Sequence, residues 1–502
     1  MNAARAVLWP AVALAALGIV AGASAAPKPP LAHEGRWFVD AKGRVVILRG
    51  VNMVYKTGSY RPADAGFGPN DARFLRRQGF DSVRLGIIYK GLEPKPPSAS
   101  GKPRYRRAYL RSIAKTESTL ARQGIFSLLD FHQDLYNERF QGEGWPDWQV
   151  LDDGVPSEPQ AGFPGNYLVN AGLNRAFDNF WANAPVAGQG LQDLYADAWR
   201  RVATKFRKRP YVLGYDVLNE PWPGTAFNSD NCLNTAGCET FDNTTLAPFD
   251  ERVIDAIRGV DPETLIFYEP LVTFDFGADS KLPDTGDAQA GFSFHDYCLP
   301  GSLGGPGSGP ACEPLEDMVF SNADKQADET GDVPLLSEFG ATDDLETIGR
   351  IVRLADAHMT SWQYWHYCAC DDPTTSGPGV QALVIDANRP PKGSNVKRAK
   401  LRTLARPYPR AVAGTPRNFE FDPDTRRFTL VYSTRAPHGQ RLGHRLDRRI
   451  RTEVFLPRIQ YPDGYEVHAT GADVLSSGRS RVLKLRRRAH ADSVTVVVTP
   501  KG

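Results

Sequence analysis

Eight strand-like segments alternate with helix-like segments between residues 36 and 405, and this repeat constrains the fold more than any other feature of the sequence. Each strand candidate is apolar along most of its length, as parallel strands buried on both faces are. Eight such units predict a (β/α)8 TIM barrel over residues 30–405. An open doubly wound sheet is the competing arrangement, but no glycine-rich phosphate-binding sequence follows the first strand. The strand candidates are residues 44–53, 81–87, 124–132, 212–220, 264–270, 291–297, 333–340 and 360–367.

The pattern changes near Ala413, where short alternating segments separated by Gly, Pro and Asp replace the strand–helix repeat. Such segments are typical of an antiparallel β-sandwich. A chain of 502 residues is too long for one ordinary core, so a second domain is expected. We therefore predict a C-terminal antiparallel β-sandwich over residues 413–502.

The amino-terminal segment has the features of a signal peptide. Arg5 precedes an apolar run, and the small residues Ala23, Ser24 and Ala25 follow it. The alternative, a retained amphipathic helix, would need a polar stripe that this run does not have. We predict a signal peptide over residues 1–26 and a secreted protein. The formal net charge of +2 gives no reason to expect a nucleic-acid partner.

Six cysteines agree with export, because an oxidising compartment permits disulfides. We expect Cys232 to pair with Cys238, and Cys298 with Cys312, since each pair closes a short loop. Cys368 and Cys370 are separated by one residue, and a bridge between them, free thiols or other partners all remain open. No second Cys or His pair lies at the ligand spacing of a zinc site, and no metal or other cofactor is expected.

Polar side chains are concentrated at the carboxyl ends of the predicted strands. Because the active sites of (β/α)8 barrels form at this rim, we expect these side chains to converge. They include an acid on the fourth strand, Glu220, and another on the seventh, Glu338. The remaining ones are Arg84, His132, Asp134, Asn219, His295, Tyr297 and Trp365.

Two carboxyl groups facing each other across a barrel mouth suit hydrolysis of a glycosidic bond with retention of configuration. One protonates the leaving oxygen and the other attacks the anomeric carbon, with the two roughly 5–5.5 Å apart. We expect Arg84 to hold Glu338 ionised and Tyr297 to donate a hydrogen bond to it. Asn219 is expected to donate to a sugar 2-hydroxyl. Trp365, preferred over Trp362, offers a flat face for stacking on a pyranose.

The motifs "LNEPW", "SEFG" and "HDY" resemble those of glycoside hydrolase family 5. Within the family, "GVNMVYKTGSY", "DFHQD", "LNEPWPG" and the added β-sandwich are most similar to endoglycoceramidases, which cut the β-linkage between an oligosaccharide and ceramide. The resemblance implies that Glu220 is the acid/base, that Glu338 is the nucleophile and that His295 has a supporting role. The residues implied to contact the first sugar are Lys56, His132, Asp134, Asn219, Tyr297 and Trp365.

The resemblance also implies a monomer that acts on glycosphingolipid and touches a membrane or micelle surface transiently. Three alternatives are an endo-β-glucanase or β-mannanase acting on soluble polysaccharide, a secreted glycolipid-binding protein without turnover, and a metalloenzyme. The metalloenzyme would use His132, Asp134 and His295. An open groove lined by aromatics would favour the first alternative, and the pair of glutamates argues against the second.

A long insertion follows the third strand and is rich in aromatic residues. Loops this long in compact domains usually serve binding or gating. We expect part of this set, with Trp145 or Trp148 first, to line an apolar trough for the two hydrocarbon chains of ceramide. The full set is Phe140, Trp145, Trp148, Phe163, Tyr167, Phe177, Phe180 and Trp181.

Overall fold

Eight parallel strands close into a barrel, in the same order around the barrel as along the chain. The structure, a computed structural model, describes residues 27–298, 312–375 and 377–501. The predicted signal peptide lies outside these residues. The prediction of a (β/α)8 barrel is confirmed. We number its strands β1 to β8: Arg49–Met53, Ser82–Ile87, Phe126–Phe131, Val212–Asp216, Leu265–Tyr268, Ala290–Asp296, Val333–Phe339 and Ser361–Tyr364.

The helices of the barrel lie between these strands, and short helices form much of its rim. The longer helices are Pro69–Gln78, Arg107–Ala121, Ala171–Trp181, Leu191–Phe206, Ala247–Arg258, Glu313–Thr330 and Leu345–Ala357. The shorter ones are Tyr89–Leu92, Glu138–Phe140, Asp147–Gln149, Gly165–Val169, Ala226–Ser229, Glu239–Phe241, Asp242–Leu246, Val272–Phe276, Pro378–Gln381, Gly393–Asn395 and Arg398–Leu404. Within the residues described, no helix is both long and apolar enough to cross a bilayer.

Two antiparallel sheets pack face to face after the barrel, which confirms the predicted sandwich. The four-stranded sheet contains Thr415–Asp422, Arg427–Ser433, Ser493–Pro500 and Tyr465–Thr470, in that order. The seven-stranded sheet contains Leu31–Glu34, Trp37–Asp40, Val45–Val46, Tyr408–Val412, Thr452–Phe455, Val482–Arg487 and Ala472–Val474. Two ribbons complete the set: Arg435–His438 with Arg441–Arg445, and Pro185–Val186 with Gln189–Gly190.

The amino-terminal strands belong to the sandwich, although the sequence placed residues from 30 onward in the barrel. Val46 pairs with Ala411 of the sandwich, whereas the first barrel strand begins only at Arg49. Successive residues of the apolar run 45–48 point alternately into two different hydrophobic cores. Val45 and Ile47 pack between the two sheets, whereas Val46 and Leu48 pack against the floor of the barrel. Burial on both faces makes this stretch apolar throughout, and for that reason it resembles a barrel strand.

A glycine marks a close contact between the barrel and the sandwich. Gly79 ends the helix Pro69–Gln78 with a left-handed backbone, at φ 99°. A Cβ atom there would lie 2.2 Å from the ring of Phe455 in the seven-stranded sheet. Side chains with a Cβ are therefore excluded both by the backbone conformation and by the packing.

All six cysteines form disulfides. The pairs Cys232–Cys238 and Cys298–Cys312 are confirmed, and Cys368 is bonded to Cys370. The Cys368–Cys370 bridge lies at the start of the loop that follows β8, and this loop places Asp372 at the barrel rim. Of the possibilities left open by the sequence, the structure selects the bridge between these two neighbours.

Candidate active site

A pocket of about 370 Å³ opens at the carboxyl ends of the barrel strands, where the sequence predicted the site. Its floor and one side are polar, and its other walls are apolar. Three further predicted residues, Arg84, Asn219 and His295, are buried directly behind the floor. Seven predicted residues line the pocket itself: Lys56, His132, Asp134, Glu220, Tyr297, Glu338 and Trp365.

The two predicted catalytic glutamates face each other across the pocket floor. One carboxylate oxygen of Glu220, one of Glu338 and a ring nitrogen of His295 all lie within 4.8 Å of one another. Inverting glycosidases separate their carboxyl groups by roughly 6.5–9.5 Å to admit a water molecule, whereas retaining enzymes need only roughly 5–5.5 Å. The arrangement is therefore that of a retaining enzyme.

Arg84 is the centre of the charge network beneath these glutamates. It lies on β2, is fully buried, and its Nη1 donates to Glu338 Oε1. Its Nη2 donates to Asn219 Oδ1 at 2.9 Å. Its other carboxylate partners are Asp130 (3.1 Å), Asp216 (2.8 Å) and Glu269 (2.7 Å). One guanidinium thus serves four carboxylates, and the planar fork of an arginine suits this role better than a lysine ammonium does.

Glu338 has both of its oxygens engaged. Arg84 donates to one oxygen, and the hydroxyl of Tyr297 donates to the other at 2.9 Å. Burial raises the pKa of Glu338 above its ordinary value, while the positive charges of Arg84 and His132 act in the opposite direction. The network therefore orients the carboxylate toward the pocket and supports its charged form against the cost of burial.

Glu220 lies in the turn after β4, four residues beyond the end of that strand. Its φ of 42° is in the left-handed region, which is unusual for a residue with a side chain. Its backbone N–H donates to Glu269 Oε2 at 2.9 Å, and its carbonyl accepts from Gln133 Nε2 at 3.1 Å. These two contacts hold the strained backbone, and His295 Nδ1 lies 2.9 Å from Glu220 Oε1.

Glu220 is therefore suited to be a general acid near neutral pH. Burial, reinforced by the nearby Asp134 carboxylate, raises the pKa of Glu220 to about 7. Burial also lowers the pKa of His295 to about 4, so the imidazole beside Glu220 is neutral at the working pH. The neutral imidazole adds no positive charge that would lower the pKa of Glu220 and release its proton.

A bell-shaped pH profile of kcat/KM is expected from these two glutamates. Glu220 has a pKa raised above its ordinary value, so it keeps its proton up to about pH 7, and the rate falls as the pH rises through that value. Glu338 must be ionised, so the rate also falls as the pH drops through its pKa. Initial rates between pH 4 and pH 9 check this, and a flat profile would contradict a carboxylate pair.

Lys56 forms the polar side of the pocket together with residues from two loops. Its Nζ lies 2.6 Å from Asp134 Oδ2, 3.2 Å from Asp372 Oδ1 and 2.8 Å from the hydroxyl of Thr374. The same ammonium lies 4.5 Å from the centroid of the Trp365 ring. Burial lowers the pKa of Lys56, but the neighbouring carboxylates outweigh this effect and raise the pKa well above its ordinary value. Lys56 is thus a positively charged hydrogen-bond donor fixed at the pocket wall.

His132 and Trp365 complete this side as a stacked pair. Their ring centroids are 5.2 Å apart and their planes 17° from parallel. His132 Nδ1 lies 2.9 Å from Asp130, and despite burial this carboxylate raises the pKa of His132 to about 10. Trp365 lines the pocket, whereas Trp362 is buried in the barrel against Arg49. Of the two tryptophans, Trp365 is the one that lines the pocket.

Asn219 is more constrained than predicted. Its Oδ1 accepts from Arg84, and its Nδ2 donates to the Gln133 carbonyl at 2.9 Å. One amide hydrogen is left, since the NH₂ group carries two. Asn219 is therefore positioned by the same network that holds Glu338.

Several site residues were missed by sequence reasoning. Glu269 directly follows β5, so it has the same pattern, a polar residue at the carboxyl end of a strand, that predicted the other site residues. Asp130 and Asp216 lie two and four residues before His132 and Glu220, on the faces that point into the barrel. Glu143, Asp372 and Thr374 come from loops, and no pattern in the sequence places them beside Lys56.

The apolar walls contain two of the predicted aromatic residues, Phe163 and Tyr167, but not the two that were named first. Trp145 is 1% exposed and stacks on Tyr136 at 4.2 Å inside the core of the insertion, so the expectation that it lines a trough is wrong. Trp148 donates its indole N–H to the Glu93 carbonyl and does not line the pocket either. Phe140, Phe177 and Phe180 are also buried core residues. The apolar lining is Phe163, Tyr167, Leu168, Trp222, Phe227, Leu233, Val272 and Phe276.

The three residues of the metalloenzyme alternative fall into two separate groups. His132 and Asp134 lie with Glu143, whereas His295 lies with Glu220 and Glu338. The Lys56 ammonium already contacts Asp134 at 2.6 Å. A cationic side chain thus takes the place at which a metal ion would have to meet the first group.

The barrel and its paired carboxyl groups define a glycoside hydrolase, and comparisons with known proteins identify which one. The model of the cellulase family (glycosyl hydrolase family 5) matches residues 39–371, and that of the glycoside hydrolase family 5 C-terminal domain matches residues 406–498. The chain belongs to glycoside hydrolase family 5. The resemblance inferred from the motifs is confirmed.

Similar proteins within the family are endoglycoceramidases. The chain is 32% identical to endoglycoceramidase I of Rhodococcus hoagii (strain 103S), over 91% of this chain and 86% of the relative. It is 28% identical to endoglycoceramidase of Hydra vulgaris, over 86% and 81%. The structure of endo-glycoceramidase II from Rhodococcus sp. in a ganglioside GM3 complex is also similar, with a TM-score of 0.72 and 29% identity over 92% of this chain and 99% of that one.

Proposed function

We propose that this protein is a retaining endo-β-glycosidase that hydrolyses the linkage between the glycan and the ceramide of glycosphingolipids. One observation carries the proposal. The catalytic carboxyl pair lies in a pocket whose polar side, with Lys56, His132 and Trp365, suits a sugar, and whose remaining walls are apolar. Such a pocket matches a substrate with a polar head and a hydrocarbon tail joined at the bond that is cut.

The geometry supports a two-step reaction. A carboxylate oxygen of Glu338 attacks the anomeric carbon, while Glu220 gives its proton to the glycosidic oxygen and ceramide leaves. Glu220, now a carboxylate, takes a proton from water, whose oxygen attacks the same carbon and releases Glu338. Protons balance over the cycle, and two inversions give retention. A relative supports this route, since one structure of endo-glycoceramidase II from Rhodococcus sp. is described as a lactosyl-enzyme intermediate.

The direct test is product analysis with a panel of glycosphingolipids. Incubation in detergent micelles is expected to release an intact oligosaccharide and free ceramide, which mass spectrometry distinguishes from single sugars. The anomeric configuration of the fresh oligosaccharide, read by NMR, is expected to match that of the substrate. Release of single sugars from the glycan end, or cleavage of soluble β-glucan alone, would reject the proposal.

Glu220→Ala is expected to affect substrates according to their leaving group. Ceramide needs a proton to leave, so turnover of glycolipid should fall by about 10²- to 10⁴-fold. Formation of the glycosyl-enzyme from an aryl glycoside with an acidic phenol should change far less, because that group leaves unprotonated. Pre-steady-state phenol release measures this step. A similar loss in phenol release and in glycolipid cleavage would contradict the acid role.

Replacing the apolar walls is expected to weaken binding of lipid and spare the chemistry. Leu233 is 75% exposed and Leu168 is 58% exposed, and both line the pocket mouth. Each methylene of ceramide that loses its contact costs about 0.8 kcal/mol, so Leu168→Ser with Leu233→Ser should raise KM for glycolipid roughly tenfold. Turnover of a soluble aryl lactoside should be unchanged.

Leu442→Ser is the matched control for these variants, because Leu442 is also exposed but lies on the ribbon Arg435–His438 with Arg441–Arg445, outside the pocket lining. It should leave KM for both substrates as in the wild type. Equal losses on glycolipid and lactoside in the pocket variants would assign this wall to the sugar and contradict the lipid trough.

We also propose export, a monomeric state and transient contact with a lipid surface. The three disulfides support an oxidising compartment. Exposed Leu168 and Leu233 around the mouth support contact with a micelle or membrane. Mass spectrometry of the processed amino terminus tests export, light scattering tests the monomer, and vesicle co-sedimentation tests surface contact.

A further inference from the structure

Asp275 lines the pocket together with Asp134, Glu220 and Glu338, and the two-step reaction leaves it without a role. It lies in the short helix Val272–Phe276 after β5, is 3% exposed and lines the pocket. Its backbone carbonyl accepts from the N–H of Tyr297 at 3.2 Å, which fixes the helix beside the residue that donates to Glu338. Within the described part of the chain, its Oδ2 atom has no hydrogen-bond donor.

Three carboxyl groups surround one nitrogen of His295. His295 Nδ1 lies 2.9 Å from Glu220 Oε1, 3.8 Å from Glu338 Oε2 and 3.9 Å from Asp275 Oδ2. Asp275 Oδ2 and Glu220 Oε1 thus approach the same ring nitrogen, which makes the two carboxyl groups neighbours. Two carboxyl groups in contact can share a hydrogen bond only when one of them is protonated.

The groups facing Asp275 favour its protonated form. The carboxyl groups that face it come from the turn after β4, from β6 and from β7, and each disfavours a negative charge on Asp275 when it is ionised. They are Glu220, Asp296 and Glu338. His295, also on β6, is neutral at the working pH. The helix Glu313–Thr330 packs on the far side and presents the uncharged Leu315 and Met318 to neighbouring Gly277. Burial, together with the charges of Glu220 and Glu338, raises the pKa of Asp275 well above its ordinary value.

We propose that Asp275 is a positioning residue: a protonated carboxyl group that donates a hydrogen bond to Glu220 when Glu220 is ionised. The inference rests on the proposed function, in which Glu220 alternates between acid and base. After Glu220 has given its proton to the leaving oxygen, the Asp275 hydroxyl stabilises the new carboxylate and orients it toward the incoming water. Asp275 keeps its own proton throughout, so the proton balance of the cycle is unchanged.

The test compares Asp275→Asn with Asp275→Leu on glycolipid, which reports the acid step, and on an aryl lactoside whose phenol leaves without protonation, which reports the base step. Asparagine keeps the shape and a donor, so the pH profile should stay as in the wild type. Leucine removes the donor to a charged group, which should raise the pKa of Glu220 and move the alkaline limb of kcat/KM for glycolipid up by about one to two pH units. In Asp275→Leu, hydrolysis of the glycosyl-enzyme below pH 7 should slow by about tenfold for each unit by which the pKa of Glu220 rises, because less of the Glu220 base is ionised.

The direction of the shift separates the possible roles. If Asp275 were ionised beside Glu220, both variants would remove a like charge and move the alkaline limb to lower pH, which would overturn the proposal. A uniform loss at every pH, with no shift in either variant, would leave only a structural role and also overturn it. Asp284→Asn, in an exposed loop outside the pocket, is the control.

A measurement independent of turnover covers variants that are too slow to assay. Infrared difference spectra of the wild type near pH 7 should contain the carbonyl band of a protonated carboxyl group that Asp275→Asn removes. Absence of that band would overturn the proposal even if activity falls. If wild-type protein cleaves aryl lactoside but no glycolipid, the substrate assignment fails while the Asp275 assignment can still be judged from the base step.

Discussion

Glu338→Ala is expected to abolish turnover of every glycoside, with kcat lower by about 10⁶-fold, the size of loss that removal of a covalent nucleophile causes. Among the residues that the structure describes, Glu338 is the only carboxylate to which Arg84 and Tyr297 both donate hydrogen bonds. Unlike the loss in Glu220→Ala, this loss should not depend on the leaving group, because no bond to the anomeric carbon can form. Rates with glycolipid and with an aryl lactoside measure it.

Two companion variants make this result specific. Glu263→Ala removes an exposed glutamate just before β5, at the opposite end of the barrel, and should keep wild-type rates. Glu338→Ala with added azide should form a glycosyl azide of inverted configuration, because the small anion can enter the space of the lost carboxylate. Turnover of Glu338→Ala within tenfold of the wild type would show that another group is the nucleophile.

Arg84→Met is expected to be the most destabilising single change in the site. Four buried carboxylates lose their shared counter-charge, and removing one partner of a buried ion pair typically costs about 3–5 kcal/mol. The loss of positive charge should also raise the pKa of Glu338, so the acidic limb of kcat/KM moves to higher pH. Urea unfolding measures the first effect and the pH profile the second.

Arg200→Met is the control for Arg84→Met, because Arg200 forms an exposed pair with Asp197 on the surface of the helix Leu191–Phe206. Exposed pairs contribute about 0–1 kcal/mol, so its unfolding free energy should hardly change. Arg84→Lys should lie between the two, since an ammonium keeps the charge but not the fork that meets several carboxylates. An Arg84→Met protein as stable as the wild type would contradict a single shared counter-charge.

The barrel and the set of predicted site residues were accessible from sequence for one topological reason. In a closed parallel barrel every strand ends at the same rim, so polar residues at strand ends such as Glu220 and Glu338 must converge even when far apart in the chain. The same argument covered His132, Tyr297 and Trp365. Applied more strictly, it would have found Glu269 as well.

The remaining features depend on loop conformations and packing that no periodicity encodes. Asp372 and Thr374 reach Lys56 from a loop whose path is set by contacts distant in sequence. The aromatic insertion shows a second limit. Composition predicts that some of its rings meet the lipid, but Trp145 packs the insertion's own core while Phe163 lines the pocket. Both are bulky apolar residues, and only the fold distinguishes them.

The sheet that joins the two ends of the chain has a consequence for synthesis. Val45–Val46 pairs with Tyr408–Val412, so a strand made early in synthesis must wait for one made much later. Until then the sheet edge beside Val45–Val46 is open, and unpaired edges are where nascent chains associate wrongly. A polypeptide released before Tyr408–Val412 has been made therefore lacks more than an appended domain. It has an unfinished edge beside the barrel floor, and quality-control proteases should degrade it.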